Sequence, residues 1–142
     1  MGIMPLVEIF VNKEDGSWIV QGYVIDPTRG SSVMSGKGVR LHRDIVESKA
    51  WQCVCDKMED YVNASERQPT DLDFLPNYQE KLFYKNNYIV AVQKISGGEI
   101  SILKYDDIEV DGSGCGEDEL ILKLPTDSKQ FYKTVMDVVG KI

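Results

Sequence analysis

The sequence has little of what several classes of protein need. It holds three cysteines, an odd count that does not suit a disulfide framework, and a single histidine. Its first residues lack the basic and apolar regions of a signal peptide, and no stretch approaches the ~20 apolar residues of a membrane span. These absences predict a protein of the reducing cytoplasm.

Positive charge is also scarce. The 142 residues include 16 Lys and Arg against 23 Asp and Glu, which gives a net charge of −7. Binding to nucleic acid or to an anionic membrane depends on basic side chains, so neither is expected as a partner. An acidic surface would instead attract a basic protein partner, although acidity can also serve solubility alone.

Alternating apolar residues predict antiparallel strands joined by short turns. The run Tyr88–Ile95 is β-branched and apolar on both faces, which is typical of a central strand covered on both sides. Asn86-Asn87 before it and Gly97-Gly98 after it predict tight hairpins. Asp26–Gly38, rich in Gly and Ser, is predicted to be a loop. The other predicted strands are Leu6–Val11, Trp18–Ile25, Lys81–Lys85, Glu99–Tyr105, Ile108–Val110 and Glu119–Leu124.

Two amphipathic helices are expected to cover this sheet. The first starts at Asp44, and its apolar residues recur at helical spacing up to Val62. The second follows Pro125, with Thr126 or Asp127 as the cap. Its apolar stripe is Phe131, Val135, Val138, Val139 and Ile142. The sequence therefore predicts a single α+β domain over residues 1–142, an antiparallel sheet packed against two helices in ββ-α-ββββ(β)-α order, with the C-terminal helix last.

One stretch resembles a metal-binding loop. Asp107, Glu109 and Asp111 occupy positions one, three and five, Gly112 position six and Asp118 position twelve of a calcium loop of the EF-hand type. The flanks are predicted strands rather than helices, and the closing Asp is shorter than the usual Glu. A glycine-rich hairpin kept soluble by acids is the alternative, and no metal is predicted.

Catalytic patterns are equally incomplete. Gly30–Gly38 departs from a phosphate-binding loop in spacing, and no predicted helix begins there. Cys115 with His42, or Asp71 with Asp73, could form a reactive pair only if the fold brought them together. The sequence therefore predicts no catalytic residue, no cofactor and no enzymatic activity.

The feature that remains is a carboxylate-rich strand edge beside an aromatic side chain. Tyr is favoured at protein interfaces because it buries a large area with few rotatable bonds. We expect this edge to bind the partner through Tyr105, Asp107, Glu109, Asp111, Glu117 and Asp118.

Two resemblances suggest functions. The strands Ile89–Ile95 and Leu120–Leu124, with the Gly97-Gly98 turn, Asp107-Ile-Glu-Val110 and the helix around Phe131–Val139, resemble the second half of a pleckstrin-homology-like domain. That resemblance implies two near-orthogonal sheets, a last helix that plugs one end, and an adaptor that binds a peptide along a sheet edge. In size, acidity and lack of a catalytic set, the chain is similar to small intracellular immunity or antitoxin proteins, which occlude a basic toxin. The leading hypothesis is such a non-enzymatic binding protein.

Overall fold

The structure is a computed structural model that describes residues 5–26, 31–63, 66–68, 70, 77–95, 98–106 and 115–140. For residues 26, 31, 77–81, 106 and 115–118 it describes the backbone alone. The elements in chain order are β1 Leu6–Asn12, β2 Trp18–Asp26, β3 Ser31–Met34, β4 Val39–Leu41, α1 Arg43–Asn63, α2 Asn77–Asn86, β5 Asn87–Ile95, β6 Glu99–Asp106, β7 Cys115–Lys123 and α3 Ser128–Val139.

The described strands form one seven-stranded antiparallel sheet. Its order is β3-β2-β1-β5-β6-β7, and β4 pairs with the other half of the outer edge of β2. β1 therefore lies between the two hairpin systems, paired with β2 on one side and β5 on the other. β7 ends the sheet on the far side.

Helices α1 and α3 cover one face of this sheet. β1 and β5 place residues such as Val7, Ile9 and Val90 on that face, where they are fully buried. Trp18 of β2 stacks on Tyr132 and meets Phe131 edge-on, which locks α3 to the sheet. Trp18 and Phe131 are fully buried and Tyr132 is partly buried, so this face holds most of the hydrophobic core.

Helix α2 covers part of the opposite face. Phe83 and Tyr84 contact Phe10 of β1, with the Phe83 ring edge-on at 4.9 Å between centroids. Ile89 of β5 completes this second cluster. Both faces of the central strands are thus covered, as the apolar character of Tyr88–Ile95 predicts.

The predicted fold class is confirmed: an α+β chain with an antiparallel sheet, a long helix and a C-terminal helix. The first hairpin turns where predicted, because Asn12 Oδ1 accepts from the backbone N–H groups of Glu14 and Asp15. Gly16 supplies the positive φ of 75°. Asp127 caps α3 by accepting from Gln130 N at 2.8 Å.

Three local predictions are wrong. Lys81–Lys85, expected as a strand, lies in α2, and the expected hairpin at Asn86-Asn87 is the end of that helix. The Asn87 side-chain amide donates to the Phe83 carbonyl at 2.8 Å, so it satisfies a helix-terminal acceptor instead of forming a turn. The predicted loop Asp26–Gly38 contains β3, whose backbone pairs with β2. The predicted strand Ile108–Val110 lies outside the described residues.

The arrangement differs from that implied by the pleckstrin-homology resemblance. The strands that the structure describes form one continuous sheet instead of two crossed sheets. Helix α3 lies on the sheet face beside α1, against β5, β6 and β7, and does not plug one end. A meander followed by a helix is common to both arrangements, which explains the likeness of sequence pattern.

Candidate functional site

The predicted binding residues belong to one hairpin, made of β6, β7 and the segment between them. Asp107, Glu109 and Asp111 lie outside the described residues. Glu117 and Asp118 lie in β7, with Asp118 paired across from Lys104. The pairing register shifts between Lys104 and Tyr105, so Glu117 is left without a direct partner on β6. Such a bulge bends the strand and changes the direction of neighbouring side chains.

Most of the net charge of the protein is concentrated in this hairpin. Residues 99–123, which we call the acidic hairpin, hold eight acidic and two basic residues, a net charge of −6 out of −7 for the whole chain. The acidic residues are Glu99, Asp106, Asp107, Glu109, Asp111, Glu117, Asp118 and Glu119, and the basic ones are Lys104 and Lys123.

The outer strand of the acidic hairpin also exposes apolar side chains. Leu120 is 41% exposed and Ile121 is 47% exposed, because β7 is the edge strand and α3 covers only part of its length. The alternation of Glu119–Leu124 predicts that Leu120 and Leu122 both face inward, but only Leu122 is half-buried. Glu119 is anchored on β6, since its carboxylate accepts a hydrogen bond from the Ser101 hydroxyl.

Tyr105 lies on the α2 side of the sheet. It is half-buried and packs against the cluster of Phe10, Tyr84 and Ile89. Burial raises the pKa of its phenol, and the nearby Glu8 carboxylate raises it further. The hydroxyl therefore remains protonated and available as a donor near neutral pH.

A buried carboxyl group, Glu8, lies next to Tyr105 and was not singled out by the sequence. Glu8 is only 6% exposed, and burial raises its pKa to about 7, while a hydrogen bond from the Tyr23 hydroxyl acts in the opposite direction. The pKa of Tyr23 is raised by burial, then by Glu8, Tyr84 and Tyr105. These four residues form what we call the Glu8 cluster.

The signal for the Glu8 cluster was present in the alternation of β1. Val7, Ile9 and Val11 face the α1 side, so Glu8 must face the other way, towards solvent in a two-layer protein. The actual cover on that face comes from α2. Since the sequence predicts a strand over Lys81–Lys85, in the second half of α2, it does not predict the burial of Glu8.

The described thiols and the histidine form no reactive pair. Burial raises the pKa of the Cys53 and Cys55 thiols, which disfavours the nucleophilic thiolate. His42 is exposed, and its Nδ1 lies 3.6 Å from Asp44 Oδ2. The side chain of Cys115, like Asp71 and Asp73, lies outside what the structure describes. Within the described ranges, no group of three or more metal-ligating side chains comes together.

A cleft lies on the side of the sheet away from β6 and β7. It has a volume of about 470 Å³ and is formed between β2, the segment after β3 and the end of α1, with Lys57, Asp60 and Glu66 among its lining residues. Lys57 crosses Gly22 to donate to the Lys37 carbonyl at 3.3 Å. The described helices include none long and apolar enough to cross a membrane.

Comparison with known proteins gives the fold and no more. The chain is similar to a protein of unknown function from Neisseria meningitidis, with a TM-score of 0.64 and 13% sequence identity over 98% of this chain and 95% of that one. No protein-family model and no curated protein matches the sequence.

Proposed function

We propose that this chain is a non-enzymatic binding protein that occludes a basic protein partner with its acidic hairpin, as small immunity or antitoxin proteins occlude a toxin. The observation that carries the proposal is the confinement of a net charge of −6 to residues 99–123. The remaining residues hold 15 acidic and 14 basic side chains, so they are nearly neutral. Acidity that served solubility alone would not need to be concentrated in one hairpin.

A local charge of this size changes the rate of association more than the final affinity. Complementary charges raise association rate constants from a neutral range of about 10⁵–10⁶ M⁻¹s⁻¹ to about 10⁸–10⁹ M⁻¹s⁻¹ at low salt. For a protein that must neutralise a toxin before the toxin acts, a fast encounter is the useful property. The acid-rich composition therefore suits an inhibitor of a basic enzyme, such as a toxin domain that itself binds a polyanion.

The strands of the acidic hairpin are well supported. β6 pairs with β5 over Ile89–Ile95, and Ile100 and Ile102 are fully buried under α3. The Ser101 hydroxyl holds the Glu119 carboxylate at the base of the hairpin. A binding surface on a rigid sheet loses less conformational entropy on association than a surface on a free loop. The proposal includes a cytoplasmic location, with which the free thiols of Cys53 and Cys55 are consistent.

Charge reversal in the acidic hairpin tests the proposal. The wild-type chain and the variant D107K/D111K/E117K are used side by side to capture proteins from the native host. We expect a basic protein that binds the wild type and is lost from the variant. With the purified partner, the association rate should fall at least about tenfold at low ionic strength, and its dependence on salt should flatten.

The matched control carries the same charge change on a different surface. The variant E47K/D56K/E59K alters three exposed residues of α1 and should bind the partner almost as fast as the wild type. The captured protein should also inhibit growth when expressed alone and lose that effect when co-expressed with the wild-type chain. A partner that is acidic, or whose association is slowed equally by both variants, would rule the proposal out.

A further inference from the structure

We propose that the chain forms a symmetric dimer in which β7 pairs antiparallel with β7 of a second copy. In the described part of the chain, no strand pairs with the outer edge of β7. An unpaired strand edge is a template for another strand. The residues of β7 are complementary to those of β7 in a second copy of the chain.

The backbone direction of β7 fixes which groups face outward. Leu124 N donates to Gly98 O at 2.8 Å, so the N–H of Leu124 points towards β6. Backbone directions alternate along a strand, so the N–H and C=O groups of Leu122 and Leu120 also point towards β6. Those of Glu119, Ile121 and Lys123 point to the open edge. Only pairs formed between these odd-numbered residues can exchange hydrogen bonds with a second strand.

A two-fold axis at Ile121 satisfies this condition and pairs opposite charges. In that register Ile121 lies opposite Ile121 of the copy, and Glu119 lies opposite Lys123 in both halves. Directly opposed residues of unlike charge stabilise an antiparallel pair, whereas like charges destabilise it. In the described chain Glu119 and Lys123 form no ion pair: Glu119 accepts a hydrogen bond from the Ser101 hydroxyl, and Lys123 lies across the β6–β7 ladder from Glu99. A carboxylate accepts several hydrogen bonds, so Glu119 can still pair with Lys123 of the copy.

The side chains that this register buries are the exposed apolar ones. Leu120, which is 41% exposed, would lie opposite Leu122 of the copy on the α3 side, and the two Ile121 side chains would meet on the other face. β7 is nine residues long, whereas the opposite edge of the sheet is divided between β3 and β4, with four and three residues. Short edge strands resist pairing, so the β7 edge is the one suited to a second copy.

Repulsion between the acidic ends does not prevent this pairing. In the proposed register the two Cys115 positions are separated by about 40 Å along the joined strands, at 3.4 Å per residue. The Debye length is about 8 Å at physiological ionic strength, so charges at the two ends are screened from each other. The dimer would leave both ends free, and the proposed function does not depend on it.

The first experiment measures the mass in solution by sedimentation velocity. As the protein concentration rises, the mass of the wild type should increase from that of the 16.0 kDa monomer to twice that value. The dissociation constant should be about 1–100 μM, as expected for a small interface. I121K places two like charges at the two-fold axis and should be monomeric, with unchanged thermal stability because the ladder to β6 is not touched. V62K is the control, since Val62 of α1 is 48% exposed and lies elsewhere. A wild type that is monomeric at about 500 μM would overturn the proposal.

The second experiment tests the register by exchanging the charges. E119K and K123E should each raise the dissociation constant about tenfold, because each places like charges opposite one another. The double variant E119K/K123E restores unlike pairs and should return to within about threefold of the wild type. E47K and K49E on α1 carry the same charge changes and should have no effect. A dimer that either single variant leaves unchanged, or that the double variant fails to restore, would exclude this interface.

Discussion

At the scale of single residues, Glu8 is a carboxyl group that is buried, although its position in the alternating pattern of β1 predicts that it faces solvent. It is flanked by the core residues Val7 and Ile9, yet it lies on the opposite face, where Tyr23 donates to it. A carboxylate that leaves water needs compensation, and one phenol hydroxyl supplies only part of it. The carboxyl group therefore holds its proton up to about pH 7.

This shift makes folding stability depend on pH. The folded pKa of about 7 lies above the ordinary value of 4.5, so between these values the folded state binds one more proton than the unfolded state. The contribution of Glu8 to stability is complete below pH 4.5 and is lost as the pH rises through 7. At alkaline pH, burial of the deprotonated Glu8 carboxylate should lower the free energy of unfolding by up to about 3 kcal/mol, at about 1.4 kcal/mol for each pKa unit.

E8Q should remove this dependence. Gln has nearly the same shape, its carbonyl oxygen still accepts from Tyr23, and it carries no charge to bury. We expect the urea-derived free energy of unfolding of E8Q to exceed that of the wild type by about 1–3 kcal/mol near pH 8 and to match it near pH 4.5. E14Q, in the exposed turn after β1, should follow the wild-type curve. Parallel curves for E8Q and the wild type would contradict the shifted pKa.

At the scale of elements, the cap of α3 tests how that helix is held. Asp127 Oδ1 accepts from Gln130 N, one of the helix N–H groups that has no acceptor within the helix. D127A should lower the free energy of unfolding by about 1 kcal/mol, and the melting temperature by about 2–4 °C. D127N keeps an acceptor and should lose much less. D137A, near the negative end of the helix dipole, should be neutral or slightly stabilising, and equal losses for D127A and D137A would contradict the cap.

Elements with a strong pattern of their own could be predicted from the sequence, and those defined by tertiary contacts could not. α1, α3 and β5 carry a long helical or strand period, and their limits were found within a few residues. Lys81–Lys85 is so short that its periodicity does not distinguish a strand from a helix. The packing of Phe83 and Tyr84 on Phe10 stabilises the helix. β3 forms because its backbone pairs with the edge of β2. Its Ser-rich sequence has too weak a strand propensity to predict that pairing.

At the scale of the whole molecule, the charge is strongly asymmetric. The sequence predicted an acidic edge of the sheet, and the described hairpin places Glu117, Asp118 and Glu119 on the edge strand. The predicted binding residues Asp107, Glu109 and Asp111 lie outside the described part, so their role stays a prediction. The Glu8 cluster needed the cover of α2 and could not be predicted from any one segment.

This asymmetry should make stability depend on salt. Like charges within one hairpin repel each other in the folded state, and added salt screens them. The melting temperature of the wild type should rise by a few degrees between about 20 mM and about 500 mM sodium chloride.

The neutralised variant D107N/D111N/E117Q should have a higher melting temperature than the wild type at low salt, and that temperature should change less when salt is added. The α1 variant E47Q/D56N/E59Q loses the same charge from a helix in which five acidic residues are mixed with Arg43, Lys49 and Lys57, so its salt response should stay closer to that of the wild type. An equal response in all three proteins would mean that the charge of the acidic hairpin is not held close enough to matter, and would weaken the case for electrostatic steering as well.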